Sequence, residues 1–197
     1  MARTLTQKRF FIKYTTTILE TKVMWKSNVF TSETEASIQY EDLSNNKDSH
    51  TFSSQPASIV LLITFFITII SFFSRYDKDY EEGVWQFFMV LTIISLLCFI
   101  VIYRKVWKIK LSNGTYIFLL KSKPDKNEVD IFIEELLAQR RKYLKETYFH
   151  VSKNLAYEPQ LKNLQWLRKI EAINGIEFKE KKNELDNLFN FEKKIGF

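Results

Sequence analysis

The sequence holds 197 residues with a net charge of +6, from 29 Lys and Arg against 23 Asp and Glu, and 46% of it is hydrophobic. That length allows one globular domain with smaller elements. Its 4 glycines leave little for a glycine-rich phosphate loop, and the single cysteine, Cys98, excludes an intramolecular disulfide.

In chain order, Met1 to Phe30 lacks the short apolar core of a cleaved signal peptide, so this region is expected to stay on the side where it is made. Runs rich in Thr, Ile, Val and aromatics then predict four short strands: Phe10 to Tyr14, Ile18 to Met24, Val29 to Thr31 and Ala36 to Tyr40. Ser27-Asn28 is expected to turn between Trp25 and Val29. The polar run Leu43 to Gln55 reads as a linker, with residues 45–56 joining a first β part, 1–44, to the first apolar segment.

Two islands interrupt this polar chain. No Asp, Glu, Lys or Arg occurs from Ser49 to Ser74 or from Gly83 to Tyr103. Crossing a hydrocarbon core of roughly 30 Å takes about 20 apolar residues in a helix. Residues 57–74 and 84–103 meet that need and are apolar on every face, unlike the one-sided helices of a soluble core. They predict a transmembrane hairpin closed by a short extracytoplasmic loop, 75–83. Arg75 and Lys78 in that loop stand against Asp77, Asp79, Glu81 and Glu82, a net charge of −2, whereas the chain from Arg104 onward has 20 basic and 13 acidic residues. Excess Lys and Arg marks the cytoplasmic side. Both flanks are therefore expected there, in a multi-pass protein of a bacterial inner membrane. Cys98, inside the second helix, is expected to serve packing.

After the second helix, Val106 to Leu111 and Thr115 to Leu120 flank Ser112-Asn113-Gly114, a strong hairpin signal that outweighs reading Asn113-Gly114-Thr115 as a glycosylation site. Ser122 to Asp125 then announces a helix from Lys126 to Tyr148. Val129, Phe132, Ile133, Leu136, Leu137, Tyr143 and Leu144 would form its apolar stripe, leaving Glu134, Glu135, Arg140, Arg141 and Lys145 wet. Neither strand group closes a sheet alone, so the hairpin is expected to bring them together as one β-domain. The residues 104–149 would supply its second part, and the tail 150–197 would form two short amphipathic helices broken at Asn174-Gly175.

Chemistry is sparse. His50 and His150 lack His or Cys neighbours at ligand spacing, and no nucleophile and base stand in a recognisable motif, so no enzyme, metal or cofactor is expected. Lys8, Arg9 and Lys13 with Phe10 and Phe11, and Arg104, Lys105 and Lys108 with Lys110, are candidate contacts for lipid headgroups or a partner. Asp77, Asp79, Glu81 and Glu82 form a candidate extracytoplasmic contact loop. The hydrophobic segments contain no ionisable group at depth, which disfavours a pore.

The strand end Ile38-Gln39-Tyr40-Glu41-Asp42-Leu43 and the run Lys108 to Leu137, in which the last hairpin passes into a helix, resemble bacterial pleckstrin-homology-like membrane proteins. The resemblance implies an α+β fold: a transmembrane hairpin inserted in a small antiparallel β-domain capped by the long helix, with a C-terminal helical hairpin. Helices inside the domain, not beside it, depart from the common arrangement. Leu161, Leu164 and Leu167, then Ile173-Asn174-Gly175-Ile176, Glu177-Phe178, Lys181, Lys182 and Leu185 resemble a short C-terminal oligomerisation motif of bacterial proteins, with a shortened turn. The same residues read equally as an ordinary helix-turn-helix tail. The expected function is a non-enzymatic, membrane-anchored interaction or scaffold module that meets membrane lipids and a protein partner, and forms a homo-oligomer through its tail, without nucleic acid. Two alternatives stand: an immunity protein neutralising a membrane-targeting or secreted toxin, and an accessory subunit of a transport complex.

Overall fold

The structure, a computed structural model, describes residues 2–29, 31–76, 81 and 83–189. It is α+β and divides into two compact units, residues 1–48 with 107–197, and residues 49–106.

In the first unit, β1 (Arg3–Arg9), β2 (Ile12–Ile18), β3 (Lys22–Val29) and β4 (Ser32–Gln39) form an antiparallel sheet in sequence order. Strands β1 and β2 alternate, with Leu5, Gln7, Ile12, Tyr14, Thr16 and Ile18 inward, and Val23 of β3 and Ile38 of β4 join them in the core, while the first half of β4 is exposed. The turns differ from the expected ones. Phe10-Phe11 is the turn between β1 and β2, and Ser27-Asn28 lies within β3, paired with Tyr14 and Lys13. Ser27 is buried on the inward face, so a residue typical of turns was spent inside a strand.

The polar stretch expected as a linker is instead the strand β5 (Leu43–Phe52). It pairs with β6 (Arg104–Leu111), which pairs with β7 (Tyr116–Leu120), giving a second, three-stranded sheet. Strands before and after the apolar helices thus pair, although through β5 and not through the four predicted strands. Asn113-Gly114 makes the β6–β7 turn, where Gly114 takes φ +82°, a conformation that disfavours any Cβ.

Helix α3 (Lys126–Tyr148) has the predicted bounds and starts on Asp125, whose carboxylate accepts from the Asn127 N–H. Its first half contributes Val129, Phe132, Ile133 and Leu136 to one core with Leu5, Ile18, Val23, Ile109, Ile117 and Leu119 from both sheets. Its second half supplies Leu144 to a separate core with Leu164 and Leu167 of α4 (Tyr157–Lys169) and Leu185 of α5 (Gly175–Leu188). One helix therefore ties the strands to the helical tail. The α4–α5 turn runs through Glu171, at φ +58°, while Asn174 caps α5 in a reciprocal capping box with Glu177.

In the second unit, α1 (Gln55–Ser74) and α2 (Val84–Ile102) are long and apolar enough to cross a membrane, and both are mostly exposed. Ser54 caps α1, and Gly83 starts α2 at φ +97°. Thr68 bonds Thr92 at 2.9 Å and Phe72 packs edge-on to Trp85, so the helices run antiparallel. Thr64, Thr68 and Ser71 share one face of α1 at helical spacing, and Thr64, Ser71 and Ser95 are buried. Small hydroxyl residues thus line the seam while large apolar ones point outward, the arrangement helices adopt in lipid. Cys98 points outward and is exposed rather than packed.

Candidate functional site

The structure gathers the N-terminal basic candidates and separates them from the others. Lys8, Arg9 and Lys13 meet at the β1–β2 turn, where Lys8 lies directly opposite Lys13. Phe10 and Phe11 form the tip and are each 62% exposed. A shallow cleft of about 310 Å³ is lined by Lys8, Phe10, Phe11, Ile12, Lys13 and Asn28. Phe10 takes φ +49°, and the Arg9 guanidinium sits 5.7 Å from the centre of its ring.

Arg104, Lys105 and Lys108 lie on β6, in the other sheet. The Arg104 guanidinium lies over the Phe52 ring at 4.6 Å and Lys108 Nζ over Tyr116 at 3.6 Å, while Lys105 is exposed. Trp107 between them has Lys47 and Lys121 over its ring, at 4.7 and 4.1 Å. Of the acidic loop, Asp77, Asp79 and Glu82 lie outside the described residues, and Glu81 is exposed. His50 and His150 are exposed, and no group of three or more His, Cys, Asp or Glu stands together as metal ligands among the described residues.

Sequence reasoning missed a buried polar node. Arg140, assigned to the wet face of α3, is 1% exposed. It lies one turn from both Leu136 and Leu144, so its place on the apolar stripe was legible in the spacing. Its Nε donates to the Tyr40 carbonyl and its Nη2 to the Ile170 carbonyl, each at 3.2 Å, joining the β4–β5 turn to the end of α4. Nη1 is buried without a hydrogen-bond partner among the described residues. Burial pushes the guanidinium pKa down to about 10, against the nearby Glu171 carboxylate, which favours the charge. Beside it, Tyr148 donates to Glu41 at 2.8 Å and Asn45 to Glu171 at 3.0 Å. The hydrogen bond to Glu41 and burial raise the Tyr148 pKa to about 12. An open cleft of about 710 Å³ lies here, its three carboxylates, Glu41, Asp42 and Glu171, matched by Lys110, Arg140 and Lys169.

On the tail, a groove of about 550 Å³ is lined by Leu161, Phe178, Gln165, Arg168, Lys169 and Lys182. The lining sets two apolar side chains beside three cations, with no carboxylate among the described residues. The Arg168 guanidinium lies 5.2 Å from the centre of the Phe178 ring.

These features define an α+β protein with two helices apolar enough for a membrane and basic, aromatic-bearing surfaces. No protein-family model, curated protein or solved structure matches the chain.

Proposed function

We propose that the chain is a non-enzymatic, membrane-anchored interaction module at the cytoplasmic face of a bacterial inner membrane, with α1 and α2 as its anchor and both flanks cytoplasmic. The observation that carries this reading is the pairing of β5 with β6 around the apolar α1–α2 hairpin. A sheet that breaks off, sends out two exposed apolar helices and resumes beside its own last strand is expected of a folded unit anchored midway along its chain.

Four strands, then three, then a helix sharing one core also support the pleckstrin-homology-like reading. The two-helix tail and its basic groove support a role in binding a protein, either a second copy of the chain or an acidic partner.

The test is affinity purification of the detergent-solubilised full chain from native membranes, with mass spectrometry and mass determination of the complex. A stoichiometric protein or a second copy is expected, lost when Arg168→Glu and Lys182→Glu reverse the groove's charge. A monomer that co-purifies with no protein at stoichiometric level would overturn the reading.

A further inference from the structure

We propose that the β1–β2 turn is a second membrane attachment, which inserts Phe10 and Phe11 into the headgroup boundary of an anionic bilayer while Lys8, Arg9 and Lys13 meet its phosphates. It rests on the anchoring reading only in that a bilayer is at hand.

The turn is built against local preference. Lys8 and Lys13 are directly opposite on neighbouring strands, a placement in which like charges repel. Acidic residues exist on the same solvent face, since Asn28 lies opposite both Lys13 and Glu33. Glu33 and Glu35 are both taken by Lys26, whose ammonium pKa they raise. Neither Lys8 nor Lys13 has an acidic partner among the described residues. The tip itself holds a phenylalanine at positive φ, where Gly, Asn or Asp is the usual occupant.

In water the facing lysines repel and both rings stay exposed. An anionic leaflet offsets both: phosphates separate the lysines, and the acyl boundary takes the rings. Each Lys or Arg near such a leaflet favours attachment about fivefold, and burying one phenylalanine favours it tenfold or more. Lys8 and Lys13 beside two aromatic rings, with no carboxylate among the described residues lining the cleft, fit an anionic lipid surface.

The experiment uses the full chain in a Cys98→Ser background with a nitroxide at position 11, from Phe11→Cys, or at position 63 in α1, from Ile63→Cys. Both are reconstituted in phosphatidylcholine vesicles with and without about 30% phosphatidylglycerol, where oxygen and a water-soluble nickel complex report depth. The label at 11 should enter the bilayer only with the anionic lipid. Lys8→Gln with Lys13→Gln, which removes the charges and their repulsion together, should cut the inserted fraction's ratio about thirtyfold. A label at 11 that stays aqueous in anionic vesicles overturns the proposal and leaves an acidic protein as the patch's partner. An aqueous label at 63 with a buried one at 11 would instead sink the anchoring reading and leave the attachment standing.

Discussion

The side-chain amide of Gln7 pairs with the backbone of Leu120 as a strand neighbour would: it donates to the Leu120 carbonyl and accepts from the Leu120 N–H, both at 2.8 Å. It also donates to the Lys123 carbonyl. Gln7 is on β1 and Leu120 ends β7, so one side chain joins the two sheets where no strand ladder does. Trp25 adds a second tie, from its indole N–H to the Phe118 carbonyl at 3.3 Å.

Replacing Gln7 by Leu keeps the volume and strands two buried backbone groups, each costing about 1–3 kcal/mol. We expect Gln7→Leu to lose about 3 kcal/mol of stability and the exchange protection of the Leu120 amide. Urea unfolding in micelles with hydrogen exchange measures both; a loss under about 1 kcal/mol would show that the join does not depend on this pair.

Arg140 is bonded to two neutral carbonyls while burial works against its charge. An apolar replacement removes the buried charge but leaves both carbonyls without their donor, whereas a lysine keeps the charge and lacks the planar fork that reaches both. Arg140→Met should therefore cost about 2 kcal/mol, and Arg140→Lys, which keeps a buried charge with fewer of its hydrogen bonds, should cost more than Arg140→Met. Thermal unfolding of the two variants decides the order, and Lys proving the milder change would refute it.

The tail should loosen in acid. The Lys145 ammonium, then the Asn174 N–H, hold the Glu177 carboxyl below its ordinary value of 4.5. A depressed carboxylate stabilises fully above its unfolded pKa, and that contribution disappears as pH falls through the folded one. Because the pair is about a third exposed, it is worth under about 1 kcal/mol. Proteolysis of the α4–α5 segment should speed up below pH 4.5 in the native chain and lose that dependence in Glu177→Gln. An unchanged pH profile in the variant would contradict the assignment.

Thr68 and Thr92 form the cross-helix bond of the α1–α2 hairpin. Thr92→Val should weaken helix pairing by about 0.6 kcal/mol, the mean for such bonds in membranes. Steric-trap unfolding in bicelles measures this, and a cost above about 2 kcal/mol would mean that the bond dominates the seam.

The parts of the fold legible in the sequence are those where it repeats a physical pattern. The α3 bounds, the Asn113-Gly114 turn and the two charge-free helices each rest on a local signal: a cap with helical spacing, a residue tolerating positive φ, and unbroken apolar length. Strand β5 had no such signal, because only Leu43 is fully buried along it and its pairing is made by backbone. For Gln7 and Arg140 it is the partners that no local pattern shows: although spacing puts Arg140 on the apolar stripe, both side chains bond backbone groups distant in sequence. For Lys8 and Lys13, cross-strand register turned two scattered charges into a facing pair.

The most direct test of the anchored reading is cysteine accessibility in intact cells expressing the Cys98→Ser chain with single cysteines from Asn46→Cys, Glu81→Cys or Lys105→Cys. A membrane-impermeant maleimide should label position 81 in intact cells, and positions 46 and 105 only after the membrane is opened. Labelling of 46 and 105 from opposite sides, or of all three positions in intact cells, would contradict a hairpin that leaves and returns to one cytoplasmic face.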